Sequence, residues 1–293
     1  MTSRADNLPL AIGALIFTVF ALSLGDAFIK QISAGFGLWQ LFAIRSVLAL
    51  PILLVAIVIF VTDKRPISLF WVAMRSALLV ISWMFYYSSL PHLSLAVASS
   101  VLYTLPMFIT LFSALWLRER LTRGSILAVI LGFFGVLIIL RPDTSGLTLV
   151  SLLPLLAAIT YAFTMVLTRA KCRDENALVM GAGLNIAFIV FGVVGLAIVP
   201  TTATGGFLNA QWVMMGVAQW QATALLAVSI LIGSVGTALA YQNGPSSTLG
   251  VFDFGYVGFA VIWGFLLFNE VPDTITFVGI SLIVVSGVIS ARG

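Results

Sequence analysis

Apolar residues run through this chain in long unbroken stretches, separated by short polar elbows. Ten such runs can be drawn, at about 8–30, 36–61, 68–90, 93–117, 124–140, 147–169, 176–199, 217–241, 246–268 and 274–291. A helix needs roughly 20 residues to cross the hydrocarbon core of a bilayer. Most runs reach that length, and 124–140 is at the short end. Lipid offers no partner to an unpaired backbone group, so spans of this kind are helical. Membrane strands would alternate apolar and polar positions, which these runs do not. The first run is read as a span, not a signal peptide, because it is long, carries Asp26 and Lys30 in its distal half and is followed by nine more.

Composition agrees with the pattern. Of 293 residues, 61% are hydrophobic and 8% charged, and the mean hydropathy is +1.17. A soluble domain carries roughly 25% charged residues. The lipid bilayer is therefore the expected solvent. The single Cys172 excludes an internal disulfide. The basic residues are scattered over short segments and not gathered in one domain, which argues against a nucleic-acid partner.

Charge sets the orientation. With a cytoplasmic N-terminus, cytoplasmic segments hold Arg4, Lys64, Arg65, Arg118, Arg120, Arg123, Arg169, Lys171, Arg173 and Arg292, whereas external segments hold only Lys30 and Arg141. That asymmetry follows the preference of Lys and Arg for the cytoplasmic side, and an even number of spans returns the C-terminus to the cytoplasm. The elbow "LWLRERLTRG" is then a topological anchor between spans four and five. Arg169, Lys171 and Arg173 anchor the next cytoplasmic turn, and Cys172 among them is read as an ordinary thiol.

The edge of span four returns at the end of span nine. Aligning Glu119 with Glu270 without a gap sets Phe108 on Phe259, Leu115 on Leu266 and Thr122 on Asp273. Thr122 and Asp273 are good N-caps for the helices that follow. Each Glu is read as a cap or loop contact at a helix end. Five spans precede Asp143 and five follow it. An odd number of spans leaves the chain on the opposite side, so residues 144–293 are an inverted repeat of residues 1–143. Inverted repeats are a common plan in secondary transporters, which hold substrate near the midplane where the halves meet.

With these features the chain resembles the drug/metabolite transporter superfamily, EamA type. The run "SLAVASSVLYTLPMFITLFSALWLRERL" is similar to the first-repeat signature of that family, and "LLFNEVPD" ends span nine in the same style. Within the family the chain looks most like the YddG-type exporters of aromatic and other amino acids. The resemblance implies an all-α membrane protein of ten helices around a central cavity, alternating access, and a bacterial inner membrane. One departure is Pro106 of span four, whose counterpart in span nine is Val257. That puts symmetric bending of the two halves in doubt.

Helical spacing groups polar residues onto faces. Span three aligns Arg75, Ser82 and Tyr86, with Trp83 at the border. Span four offers Ser99, Tyr103, Pro106 and Thr110. Span six offers Tyr161, Thr164 and Thr168, span eight Ser234, Thr237 and Tyr241, and span nine Asp253, Tyr256 and Trp263. A single hydroxyl of this kind usually bonds back to its own helix. The aromatic and hydroxyl faces together suggest a cavity lining, and the candidate substrate residues are Arg75, Trp83, Tyr86, Tyr103, Tyr161, Tyr241, Asp253 and Tyr256. Trp39, Trp71, Trp116, Trp212 and Trp220 are read as interfacial anchors of span ends.

Ionisable groups inside a membrane carry function or pair with one another. Arg75 and Asp253 are candidates for the carboxylate and ammonium of an amino acid, or for structural salt bridges. Arg45 is read as structural, and so is Asp26 with Lys30. His92 is read as a solvated loop residue. The glycines of "MGAGL" and "GYVG" are expected to pack closely.

Other chemistry lacks its motifs. None of the three lysines follows a glycine, so there is no GxxxxGK[ST] phosphate loop, and one histidine cannot form HExxH. No cofactor or metal is expected. An intramembrane aspartyl protease would use Asp26 and Asp253 as a proton-sharing pair, but the order of its motifs is reversed here. The sequence thus points to a secondary exporter of amino acids or related small metabolites, not an enzyme. Multispecific drug efflux is the alternative and the protease a remote one.

Overall fold

The computed structural model describes residues 7–33, 35–61, 66–116, 123–140, 149–172, 175–198, 206–243, 252 and 255–292. Every regular element among them is helical. In chain order they are α1 (Leu8–Ile32), α2 (Leu38–Phe60), α3 (Leu69–Ser89), α4 (Leu95–Leu102), α5 (Leu105–Trp116), α6 (Arg123–Leu140), a 3-10 turn (Leu149–Leu152), α7 (Leu153–Lys171), α8 (Ala177–Ile198), α9 (Val217–Asn243), α10 (Gly255–Phe268) and α11 (Thr274–Arg292). Among the described residues, six segments are long and apolar enough to span a bilayer: Leu8–Ile32, Leu38–Phe60, Leu69–Ser89, Leu95–Trp116, Val150–Thr168 and Ala177–Ile198. Four shorter apolar stretches accompany them, at Ile126–Ile139, Val217–Gly233, Gly255–Phe268 and Thr274–Ile289. Large apolar side chains such as Phe60, Ile198 and Val217 point outward, as lipid-facing positions require. The chain is a multi-pass membrane protein.

Local chemistry fixes the helix ends. Asn7 accepts from the Leu10 N–H at 3.2 Å to cap α1. Ser94 accepts from Val97 at 3.3 Å to cap α4. Asp273 accepts from Thr276 at 2.9 Å and starts α11, as the sequence led us to expect; Thr122 lies outside the described residues. The expected single span 93–117 is broken between α4 and α5. Pro106 has no N–H for the Leu102 carbonyl, so the helix cannot run through. The chain tightens instead, with Thr104 donating from both its N–H (3.2 Å) and its hydroxyl (2.7 Å) to the Val101 carbonyl. The break leaves Tyr103 at the end of α4.

Helix pairs are read from their contacts. α1 packs against α9, α10, α3 and α4; α2 against α8 and α9; α3 against α7 and α8; α10 against α4; α7 against α4 and α5; and α6 against α11. Gly25 meets Ser229 while Gly236 meets Thr18, so α1 and α9 are antiparallel. Phe20 meets Phe259 and Ser23 meets Trp263, so α1 and α10 are parallel. Arg75 meets Thr168 and Ser82 meets Ala157, making α3 and α7 antiparallel.

The tightest approaches involve glycines, as in other membrane helix pairs. A Cβ on Gly135 would lie 2.9 Å from the Gly279 carbonyl oxygen, and one on Gly279 would lie 2.9 Å from that of Gly135. The Ser286 hydroxyl donates to the Ala128 carbonyl at 2.6 Å across the same α6–α11 seam. Gly192 brings α8 against α2, where a Cβ would stand 2.7 Å from the Trp39 carbonyl oxygen. Of the glycines expected to pack closely, Gly183 meets Val72 at 2.9 Å and Gly255 is in ordinary contact, but Gly181 and Gly258 have nothing within 4 Å among the described residues. Trp39 also departs from expectation. Its ring lies against Gly195 and its indole N–H donates to the Leu208 carbonyl at 2.8 Å, so it serves packing more than membrane anchoring. Its neighbour Gln40 bonds Val213 in both directions, at 2.8 and 2.9 Å, and holds the segment before α9 on the start of α2.

Candidate functional site

Asp26 is 5% exposed, six residues before the end of α1. The Tyr256 hydroxyl of α10 donates to its carboxylate. The Tyr86 hydroxyl of α3 lies 3.5 Å from that of Tyr256. Tyr103, at the break between α4 and α5, stacks on the Tyr256 ring at 4.9 Å. Side chains of α1, α3, α4 and α10 thus form one connected group around this carboxylate.

The aromatic surface continues from there. Trp83 lies 5.9 Å from Tyr86, 5.2 Å from Tyr87 and 6.1 Å from Tyr161 of α7. Arg45 of α2 adjoins Tyr87 and is 2% exposed. Its Nη1 donates to the Tyr87 hydroxyl at 3.2 Å, and its guanidinium stands 4.0 Å from the Phe188 ring centre, with Phe42 and Tyr87 also within cation–π range. Its buried Nε has no hydrogen-bond partner among the described residues. Among the described residues, neither Asp26 nor Arg45 has an oppositely charged side chain within 4 Å.

Arg75 sits eleven residues before Tyr86, roughly 16 Å away along α3. Its Nε donates to the Thr168 hydroxyl at 2.9 Å, while its buried Nη1 has no hydrogen-bond partner among the described residues. Nearby, Cys172 ends α7 with its sulfur buried, and burial pushes its thiol pKa up. Glu175 accepts the Ile67 and Ser68 N–H groups at 3.0 and 2.7 Å and so caps α3.

The Lys30 ammonium pairs with Glu270 at 2.5 Å and also donates to the Leu93 carbonyl. The other Glu270 oxygen accepts the Leu95 N–H at 2.9 Å. Glu270 is therefore a cap at a helix end, as expected, while Glu119 lies outside the described residues. Lys30 does not serve Asp26, which corrects the reading of those two as a local pair. The i, i+4 spacing favours such a pair, but Glu270 offers Lys30 a carboxylate in a less buried place. A positional signal was available in the sequence. Asp26 is six residues from the end of α1 and Arg45 seven from the start of α2, so both lie about 10 Å below the same turn.

The expected residues divide as follows. Trp83, Tyr86, Tyr103, Tyr161 and Tyr256 form one connected aromatic group. Arg75 lies at its far end. Asp253 lies outside the described residues; Tyr241 is in α9, and its side chain is outside them. Among the hydroxyls, Ser99, Thr164 and Thr168 bond back to their own helices, and Ser82 donates to the Ala157 carbonyl of α7 at 2.8 Å. His92 is exposed in its turn. A separate apolar cavity of about 400 Å³ lies between α5 and α6, lined by Met107, Phe108, Leu111, Val129, Ile130, Phe133 and Phe134. It shares no residue with the tyrosine group.

Residues 9–141 match the model of the EamA-like transporter family. The chain is 27% identical over 208 residues to the pseudopaline exporter CntI of Pseudomonas aeruginosa, covering 71% of this chain and 69% of that one. It is 29% identical over 192 residues to a riboflavin transporter of Vibrio cholerae, covering 64% of this chain and 59% of that one. A solved crystal structure aligns over 98% of this chain and 96% of its own with a TM-score of 0.66 at 19% identity, a likeness of fold.

Proposed function

We infer that this chain, a membrane transporter whose residues 9–141 belong to the EamA-like family, exports small organic molecules through the space between two inverted halves. The observation that carries the reading is the meeting of Tyr86 and Tyr103 from the first half with Tyr256 from the second at the buried Asp26. A lipid-facing or purely structural helix has no need of such a group at this depth.

The pattern of helix pairs supports the inverted arrangement of ten spans, with α4 and α5 counted as one. Exchanging residues 1–143 with 144–293 maps α1 to α7, α2 to α8, α3 to α9, the α4–α5 pair to α10, and α6 to α11. The α1–α9 contact then becomes α7–α3, α1–α10 becomes α7 with α4 and α5, and α2–α9 becomes α8–α3. The α2–α8, α6–α11 and α4–α10 contacts map onto themselves. Each of these pairs is in contact. The antiparallel run of α3 and α7 supports an opposite orientation of the halves.

Alternating access would open the tyrosine group first to one face and then to the other, with the termini cytoplasmic and the protein in a bacterial inner membrane. Stacked tyrosines and Trp83 suit amino acids, aromatic ones included, or related metabolites. The relatives' names, which refer to pseudopaline and riboflavin, support a broader range of organic substrates.

The test is uptake into proteoliposomes holding this protein alone, using labelled amino acids and riboflavin, with and without a pH gradient. The reading expects saturable uptake stimulated by unlabelled substrate on the opposite side. Leakage without saturation, or no flux of any compound, would point to a channel or a packing subunit.

A further inference from the structure

We propose that Asp26 and Arg45 form the two poles of a zwitterion site. Asp26 receives the ammonium of the substrate and Arg45 its carboxylate, with the Tyr86–Tyr87 pair as the wall between them. The proposal rests on the transporter reading and names the substrate class of that site.

Several independent observations support it. Both charges are almost fully buried, at 5% and 2% exposure. Each is held by a tyrosine hydroxyl, Asp26 by that of Tyr256 and Arg45 by that of Tyr87; Tyr86, whose hydroxyl lies 3.5 Å from that of Tyr256, adjoins Tyr87 with ring centres 5.7 Å apart. Yet neither charge has an ionic partner among the described residues. Two opposite charges buried close together ordinarily pair directly or carry function. Each of these two is instead bonded to a tyrosine hydroxyl, with the packed rings of Tyr86 and Tyr87 beside them. Arg45 also retains a buried N–H, at Nε, that no described residue accepts. A carboxylate entering beside Tyr87 would satisfy it, and its ammonium would meet the Asp26 oxygens and the negative faces of Tyr86, Tyr103 and Trp83. An α-amino acid carries both groups on one carbon, and its side chain would lie along the Trp83–Tyr161 surface.

Arg75 is a poorer partner for the carboxylate. It lies roughly 16 Å along α3 from Tyr86, too far for one small molecule to reach both Arg75 and Asp26.

The experiment is counterflow in proteoliposomes with three ring-matched probes: L-phenylalanine, hydrocinnamate (carboxylate only) and phenethylamine (ammonium only). The wild type should exchange phenylalanine about tenfold or more faster than either single-charge probe, since one lost charge contact in a buried site is worth at least that. Asp26→Asn should bring the phenylalanine-to-hydrocinnamate ratio towards unity. Arg45→Gln should do the same for phenylalanine against phenethylamine. Equal exchange of all three probes by the wild type would overturn the proposal, as would wild-type ratios in Asp26→Asn. If Arg45→Gln fails to fold, the wild-type ratios and Asp26→Asn still decide. Exchange of riboflavin but of none of the three probes would overturn the zwitterion site and leave the transporter reading standing. No exchange of any compound would overturn both.

Discussion

Lys30 and Glu270 face each other at 2.5 Å across 240 residues of sequence, joining the end of α1 to the turn that follows α10. Each partner also holds backbone at the start of α4: Lys30 donates to the Leu93 carbonyl, and Glu270 accepts from Leu95. The pair thus clasps three helices, α1, α4 and α10, on the side of the membrane to which α1 leads.

The two ends of this clasp are not interchangeable. Glu270→Ala should lower thermal stability in detergent by about 1–2 kcal/mol, from the loss of a helix cap and a partly exposed ion pair. Exchanging the charges in Lys30→Glu with Glu270→Lys should not restore it, because an ammonium cannot accept the Leu95 N–H. Full recovery in the double variant, read from thermal unfolding, would mean that charge alone matters there.

The α6–α11 seam depends on two absent side chains. Gly135→Ala or Gly279→Ala places a methyl group 2.9 Å from a facing carbonyl oxygen. The helices must move apart, at a cost of about 1–3 kcal/mol. Gly181→Ala, with nothing within 4 Å, serves as the control and should leave stability nearly unchanged. Thermal unfolding of the three variants side by side distinguishes them.

Glu175 closes the start of α3 with two hydrogen bonds. Glu175→Ala leaves both N–H groups without that acceptor and should cost about 1–2 kcal/mol. Glu175→Gln keeps one acceptor oxygen and should lie between the alanine variant and the wild type. Equal melting of all three proteins would remove the cap from the account.

The Cys172 thiol is buried and its pKa is raised by that burial. The neutral form is therefore favoured in the fold. Its stabilising effect is complete below the ordinary thiol pKa and is lost as pH climbs through the raised one. Maleimide labelling at neutral pH should be slow in the folded protein and should accelerate only above the ordinary thiol range. Fast labelling at pH 7 would place the sulfur at the surface.

Much of the architecture could be read in the chain because lipid permits few alternatives. Unbroken apolar runs must be helices, and Asp273 and Pro106 mark where helices begin and break. The Glu270 cap was legible from its place at a span end. The meeting of Tyr86, Tyr103 and Tyr256 was only half legible: spacing put each tyrosine on a polar face, but no local pattern says which faces meet. Asp26 was misread for the same reason. Its tyrosine partner lies 230 residues away, while Lys30 stands one turn along the same helix. The Gly135–Gly279 contact had no signal at all, since nothing near either glycine distinguishes it from Gly181 or Gly258.

The central claim is that both faces of the membrane gain access in turn to the tyrosine group between the halves. A single cysteine at Tyr103, in a Cys172→Ser background, tests this with a membrane-impermeant maleimide applied to sealed vesicles of each orientation. Labelling from both sides is the predicted result. Labelling from one side only, or from neither, would contradict it.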